Sequence, residues 1–131
     1  MNTLAEQIKA FLSADAFAVA GASEDPEKYG HLCYARLLSH GRKAYPLNPR
    51  AKTILGHPAY PNLAALPEPV ASLSIVTPPG VTEKIVDEAI AAGVKNLWMQ
   101  PGAESPLAVN KAIKAGLNVI SGGPCLLVII R

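Results

Sequence analysis

Cysteine, charge and long apolar runs are all scarce in this sequence, and each scarcity removes a class of protein. The two cysteines, Cys33 and Cys125, cannot staple a small disulfide scaffold, and they fit no zinc-ligand spacing. Only 17% of residues are charged and the net charge is +2, while 50% are hydrophobic and mean hydropathy is +0.21. A disordered chain or a nucleic-acid arm needs a polar, charge-rich composition, so both are excluded as whole-chain readings. Near the N-terminus the longest apolar run is Ala16 to Ala20, too short for a secretory signal, and the closing run Leu126 to Ile130 is far too short to span a bilayer. The expectation is one soluble, cytoplasmic domain over residues 1–131, with neither nucleic acid nor membrane as partner.

Acid is missing from one long stretch. Between Lys28 and Pro67 there is no Asp or Glu, and that stretch carries Lys28, Arg36, Arg42, Lys43, Arg50 and Lys52 together with all three histidines. Its formal charge is +6, against −4 for the rest of the chain. Solvated helix and loop faces account for part of such an excess; a surface that meets an anion accounts for it more directly.

What is present is an alternation of short apolar runs and helical spacings. Thr3-Leu4-Ala5-Glu6 reads as a capping box opening a helix to about Ser13, within an N-terminal segment 1–14 packed on the domain. Phe17-Ala18-Val19-Ala20 reads as a strand buried on both faces. A loop over residues 21–27 leads to a helix stopped near His40 by Gly41. Strands follow at 43–47, 73–77, 96–99 and 117–120, with helices at 81–92 and 106–115 ended by Gly93 and Gly116. Residues 51–69 read as a proline-punctuated connection with a helical turn near Leu63 to Leu66, and Cys125 to Ile130 reads as a sixth strand. The rhythm predicts an α/β fold: a Rossmann-like, doubly wound, mainly parallel sheet of five or six strands with helices on both faces.

In such a sheet a ligand sits beyond the carboxyl ends of the strands. Those ends are Gly21-Ala22-Ser23, Asn48-Pro49-Arg50, Thr77-Pro78-Pro79 and Gln100-Pro101-Gly102. Gly21 and Ala22 let a phosphate approach the backbone, Ser23 adds a hydroxyl, and Lys28-Tyr29-Gly30 opens the next helix, whose N-terminal N–H groups are free. A tight strand-to-helix turn needs the same small residues, and neither a dinucleotide fingerprint nor a P-loop is present. At the end of the second strand, where an acid would hold the ribose of NAD, stands Asn48, followed by Arg50 and Lys52. That suits a ligand with a phosphorylated ribose, which NADP and coenzyme A both have.

Catalytic groups are hard to assemble. Asp25 and Glu104 read as caps, His31 and His40 as residues of the first crossover helix, and Trp98 as core. Cys33 lies near a helix N-terminus, where a thiol pKa is lowered, but a small buried helix residue is the plainer reading. No catalytic residue and no metal ligand is predicted.

Taken in order, Val19-Ala20-Gly21-Ala22-Ser23, Tyr45-Pro46-Leu47-Asn48-Pro49-Arg50, Leu55-Gly56, Tyr60-Pro61-Asn62-Leu63, Leu66-Pro67-Glu68-Pro69-Val70, Thr77-Pro78-Pro79, Trp98 to Ser105 and Cys125 resemble the small CoA-binding proteins with a Rossmann-type domain. They are also similar to the CoA-binding domain of the succinyl-CoA synthetase alpha subunit and of ADP-forming acyl-CoA synthetases. The resemblance implies coenzyme A or an acyl-CoA as ligand. Its adenine and phosphorylated ribose would lie near Asn48 to Arg50, its diphosphate at Gly21 to Ser23, and its pantetheine along Thr77-Pro78-Pro79 toward Gln100-Pro101-Gly102. The phosphorylated histidine of the synthetases lies in a further domain, so a binding module without ligase chemistry is expected, with a protein partner or a second copy possible. The alternatives are an NADP- or nucleotide-dependent enzyme and a partner-binding subunit without a ligand.

Overall fold

The computed structural model describes residues 3–131. In chain order the elements are α1 (Leu4–Leu12), β1 (Phe17–Ala20), α2 (Tyr29–Ser39), β2 (Ala44–Leu47), β3 (Thr53–Ile54), β4 (His57–Pro58), a 3₁₀ turn (Leu63–Ala65), β5 (Ser72–Ile75), α3 (Pro79–Ala92), β6 (Asn96–Met99), α4 (Pro106–Lys114), β7 (Asn118–Ile120) and α5 (Leu126–Ile129). The two first residues of the expected N-terminal segment lie outside the described residues.

The elements begin and end for local reasons. At α1 the capping box forms: the Thr3 hydroxyl accepts from Glu6 N at 3.2 Å and the Glu6 carboxylate accepts from Thr3 N at 3.0 Å. Ser105 caps α4 with Pro106 at its first position, and Pro79 opens α3. Gly93, at φ 78°, closes α3 in the left-handed conformation.

Five strands form one wholly parallel sheet in the order β2-β1-β5-β6-β7. The chain therefore moves outward from β1 to β2, then crosses back to β5 on the other side of β1. This reversal opens a crevice between the carboxyl ends of β1 and β5. One face of the sheet, with Phe17, Val19, Trp98 and Ile120, packs against Phe11 of α1, against Cys33, Tyr34 and Leu37 of α2, and against Leu126 of α5. The other face, with Ala18, Ala20, Leu73, Ile75, Leu97 and Met99, packs under Val86 and Ala89 of α3 and Ala108 and Ala112 of α4. Burial on both faces is why the strands read as unbroken apolar runs.

The C-terminus corrects an expectation. Residues 126–129 form a helical turn instead of a sixth strand. Gly122 and Gly123, both at positive φ, redirect the chain over the α2 face. There Trp98 Nε1 donates to Pro124 O at 3.0 Å, Leu126 N donates to Gln100 Oε1 at 2.9 Å, and Arg36 Nη1 donates to Leu127 O at 2.8 Å. Leu126 and Ile130 are buried while Val128 and Ile129 are exposed, a spacing that serves a helix and not an edge strand. A second feature was not anticipated. Within the proline-rich connection β3 and β4 form an antiparallel ribbon, turned by Leu55 and Gly56, both at positive φ. Tyr60 then pairs with the edge of β2: Tyr60 N donates to Pro46 O at 3.0 Å and Asn48 N to Tyr60 O at 2.9 Å. Among the described residues no helix is long and apolar enough to cross a membrane.

Candidate functional site

The crevice between β1 and β5 is built first by backbone. Gly21 leaves β1 at φ 86°, and a side chain there would stand 2.6 Å from Val76 O and 2.9 Å from Val76 C. Gly30, in the first turn of α2, abuts the same loop from the other side; a Cβ on it would lie 2.7 Å from Gly21 C and 3.1 Å from Ala22 Cα. Both glycines are thus required by close backbone approach. The start of α2 has no side-chain cap and no acid in its first turn, so its leading N–H groups keep their hydrogen-bonding capacity. Asp25 does not cap this helix: its carboxylate accepts from Glu27 N at 3.0 Å and shapes the loop. Glu104 likewise accepts from Gly102 N at 2.8 Å and leaves the capping of α4 to Ser105.

The basic stretch divides into two groups. Arg36 and Arg42 are half-buried clamps. Arg36 holds the carbonyls of Leu127 and Ile130, while Arg42 holds Leu12 O and lies 5.4 Å over the Phe17 ring. Lys43 pairs with Glu68 at 2.9 Å. Glu68 also accepts from the Tyr45 hydroxyl, and these two bonds hold its carboxyl below its ordinary range. Lys28, Arg50 and Lys52 make no ion pair among the described residues, and all three are exposed. Glu24, Asp25 and Glu27 stand in the loop before Lys28.

Two concavities run along the carboxyl edge. One, of about 240 Å³, is lined by Gly21, Leu47, Pro49, Pro61, Asn62 and Thr77, with Val81, Lys84, Ile85 and Glu88 of α3. The second, of about 270 Å³, is lined by Thr77, Pro78, Pro101, Gly102 and Ala103. Thr77 borders both, and its hydroxyl lies 2.7 Å from that of Thr82. Of the residues expected at the site, Gly21, Pro49 and Thr77 share the first concavity, and Thr77, Pro78, Pro101 and Gly102 share the second. Pro79 begins α3 beside them. Ala22 is buried, Ser23 is half-buried, and Tyr29 is exposed on α2.

Two expected residues turn inward instead. Gln100 is buried, donating to Ser74 Oγ at 3.2 Å and accepting from Leu126 N. Asn48 spends its amide on the protein: Nδ2 donates to Ala22 O at 2.9 Å, and Oδ1 accepts from Arg50 N and Ala51 N at 2.8 and 2.9 Å.

Sequence reasoning missed Asn62 and the α3 lining residues. The helical spacing of Val81, Lys84, Ile85 and Glu88 carries the signal, because one face of α3 looks into the crevice. Cys33 is fully buried, and desolvation pushes its thiol up to about 12, so it is the inert core residue and not an activated nucleophile. Among the described residues no group of His, Cys, Asp or Glu is arranged to hold a metal ion.

A family model described as a CoA binding domain matches residues 15–131. The chain belongs to the CoA binding domain family. It is 30% identical over 119 residues to an ADP-forming acetate–CoA ligase I of Archaeoglobus fulgidus, a match covering 83% of this chain and 17% of the ligase. It is 33% identical over 88 residues to the alpha subunit of the ADP-forming acetate–CoA ligase II of Pyrococcus furiosus, covering 66% of this chain and 19% of the subunit. The chain thus spans under a fifth of the length of these curated relatives. Among solved structures, a hypothetical protein from Pyrococcus horikoshii OT3 superposes with a TM-score of 0.90 at 28% identity, covering 97% of this chain and 89% of the other. As a CoA binding domain the chain is related to the corresponding portion of the ligases.

Proposed function

We propose that this chain binds coenzyme A, free or acylated, through its phosphates and pantetheine, and has no catalytic step of its own. The observation that carries the reading is the crevice at the strand-order reversal. There Gly21 and Gly30 form a backbone-only cradle, and the exposed, unpaired cations Lys28, Arg50 and Lys52 stand in the segments that follow β1 and β2, with no acid at the end of β2. Ribose clamped by a carboxylate is the mark of NAD sites, and β2 offers a cation there instead. The family match favours CoA over NADP as the phosphorylated-ribose ligand.

The residues suit the group in three places. The first concavity has an apolar lining from Leu47, Pro49, Pro61 and Val81 for a flat base, with Asn62 and Glu88 at its polar side. The β1–α2 loop and the start of α2 supply N–H donors for a diphosphate. The second concavity, walled by Pro78 and Pro101, offers a narrow apolar track for pantetheine. A thiol ester or thiol carried on that arm supplies the acyl chemistry when CoA is bound; this chain's part is to hold and orient it. A cytoplasmic location and a protein partner or second copy belong to the same proposal; a partner is supported by the curated relatives, which are far longer than this chain and one of which is an alpha subunit.

Titration calorimetry with CoA, dephospho-CoA and NADP tests the reading. A charge-assisted hydrogen bond to phosphate contributes about 1.5–3 kcal/mol. Arg50 and Lys52 are exposed, so the lower end applies, and CoA is expected to bind about tenfold more tightly than dephospho-CoA. Equal affinities remove the ribose-phosphate assignment, and tighter NADP binding replaces the ligand. In parallel, the purified chain is expected to make no acyl-CoA from ATP, CoA and a panel of carboxylic acids. Turnover that scales with protein and disappears in a Gly21 variant ends the binding-only reading.

A further inference from the structure

Two side chains from outside the β1–α2 loop set the orientation of its backbone. Asn48 Nδ2 donates to Ala22 O at 2.9 Å, and His31 Nδ1 lies 2.8 Å from Ser23 O. A carbonyl oxygen only accepts, so the His31 Nδ1 carries the proton of that bond. Asn48 cannot turn its amide over, because its Oδ1 already accepts from Arg50 N and Ala51 N. The reversed amide would set its NH₂ against two N–H donors.

The peptides here are trans, and a trans peptide points its C=O and N–H in opposite directions. Holding Ala22 O against Asn48 therefore turns Ser23 N–H away from Asn48. Holding Ser23 O against His31 turns Glu24 N–H away from His31. Neither N–H has a hydrogen-bond partner among the described residues, whereas the next one, Asp25 N, donates to Ser23 Oγ at 3.0 Å. The loop thus has two adjacent unused donors, with both matching acceptors tied down behind them.

We propose that His31 and Asn48 are positioning residues of the CoA site: they hold these two carbonyls aside so that Ser23 N–H and Glu24 N–H meet the ligand's diphosphate. The proposal rests on the CoA reading above. Its physical basis is the sign of the peptide dipole. A half-turn of either peptide replaces a donor with a carbonyl oxygen, so an anion loses an attraction and gains a repulsion. Neither side chain needs to touch the ligand, which is why a role for Asn48 in gripping the ribose is not required.

The test compares CoA with adenosine 3′-phosphate, which keeps the base and ribose phosphate and lacks the diphosphate. His31→Phe keeps a ring of similar size and removes the donor; His31→Gln keeps a side-chain N–H. We expect His31→Phe to weaken CoA about tenfold, to leave adenosine 3′-phosphate within about twofold, and His31→Gln to recover most of the loss. Asn48→Asp is the second variant. It retains the acceptor for Arg50 and Ala51 and loses the donor to Ala22; because its added charge repels CoA, the more highly charged ligand, the more strongly, a fall in the ratio supports the proposal only alongside the same fall in His31→Phe, which adds no charge. Thermal melts and amide spectra establish that each variant is folded. A folded His31→Phe or Asn48→Asp that leaves the ratio unchanged, or a loss shared equally by both ligands, overturns the proposal while the CoA reading stands. A parent chain that binds neither ligand overturns both.

Discussion

Gly30→Ala gives a sharp test of how the loop and α2 fit together, because two opposed effects can be weighed. Gly30 lies inside a helix with ordinary helical backbone, so alanine gains about 1 kcal/mol of intrinsic helix propensity. Against this, the new Cβ would stand 2.7 Å from Gly21 C and 3.1 Å from Ala22 Cα, where ordinary contact begins at 3.4 Å. Gly21 O is nearer still, and all of these neighbours are backbone atoms that cannot rotate away, so α2 and the loop must separate by well over about 1 Å. Overpacking of this kind costs about 1–3 kcal/mol and sometimes more. The clash wins, with a net loss of at least about 2 kcal/mol and a fall in Tm of at least roughly 7 °C for a chain of this size. The same separation moves the α2 donors off the loop donors, so CoA affinity falls at least about tenfold.

Gly80→Ala is the control. Gly80 also occupies the first turn of a helix, α3, but a Cβ there meets nothing within 4 Å. It should melt at or slightly above the parent. Scanning calorimetry and CoA titration on the two variants read both quantities. A Gly30→Ala protein that melts and binds like the parent refutes the close-approach argument. Equal damage in Gly80→Ala assigns the effect to any alanine in a helix's first turn.

The charge assignments and the thiol give two further expectations. Arg50→Glu should weaken CoA more than Arg50→Ala, and the gap should narrow from 0.01 M to 0.15 M salt as the Debye length falls from about 30 Å to about 8 Å; an Arg50→Glu protein that binds like the parent refutes the ribose-phosphate placement. Arg36→Glu and Arg42→Glu should instead lower Tm, since each breaks bonds to carbonyls; unchanged melts contradict the clamp role. Cys33 should resist iodoacetamide at neutral pH in the folded chain while Cys125 reacts, as peptide mapping would reveal. Burial raises its pKa from an ordinary 9.0 to about 12, favouring the protonated thiol in the fold. Its contribution to stability is therefore complete below about pH 9 and lost as pH rises toward 12, an alkaline loss that Cys33→Ser should diminish.

The sheet was legible because its strands obey a strong local rule. Phe17 and Val19 face α2 while Ala18 and Ala20 face α3, so every position is buried and the run is continuous. The helices were legible through their ends, at Thr3 and Glu6, at Pro106, and at Gly93 and Gly116. What local pattern could not carry was the partner of each polar group. Arg36 reaches carbonyls more than 90 residues away, and Gln100 turns inward only because residue 126 passes over it. The C-terminal run shows the same limit. Six apolar residues satisfy a strand or a helix equally, and the choice falls to Gly122 and Gly123, which steer the chain onto α2.

The strand-end crevice that holds the candidate site was legible from the sheet, and the detail within it was not, for a related reason. An anion cradle made of main-chain N–H groups asks for few particular side chains at the point of contact. It asks for glycine where backbones cross, as at Gly21 and Gly30, and for side chains behind the loop that keep its carbonyls turned away. Such supports sit on other elements: Asn48 after β2 and His31 within α2. A pattern sought only along the loop itself, such as a fixed glycine spacing, therefore finds a weak motif. The spatial set of Gly21, Gly30, His31 and Asn48 is more restrictive than any segment containing one of them. Gly21 and Gly30 are fixed by close backbone contact, and Asn48 and His31 by their bonds to Ala22 O and Ser23 O, so the four are constrained together although they lie on three separate elements of the chain.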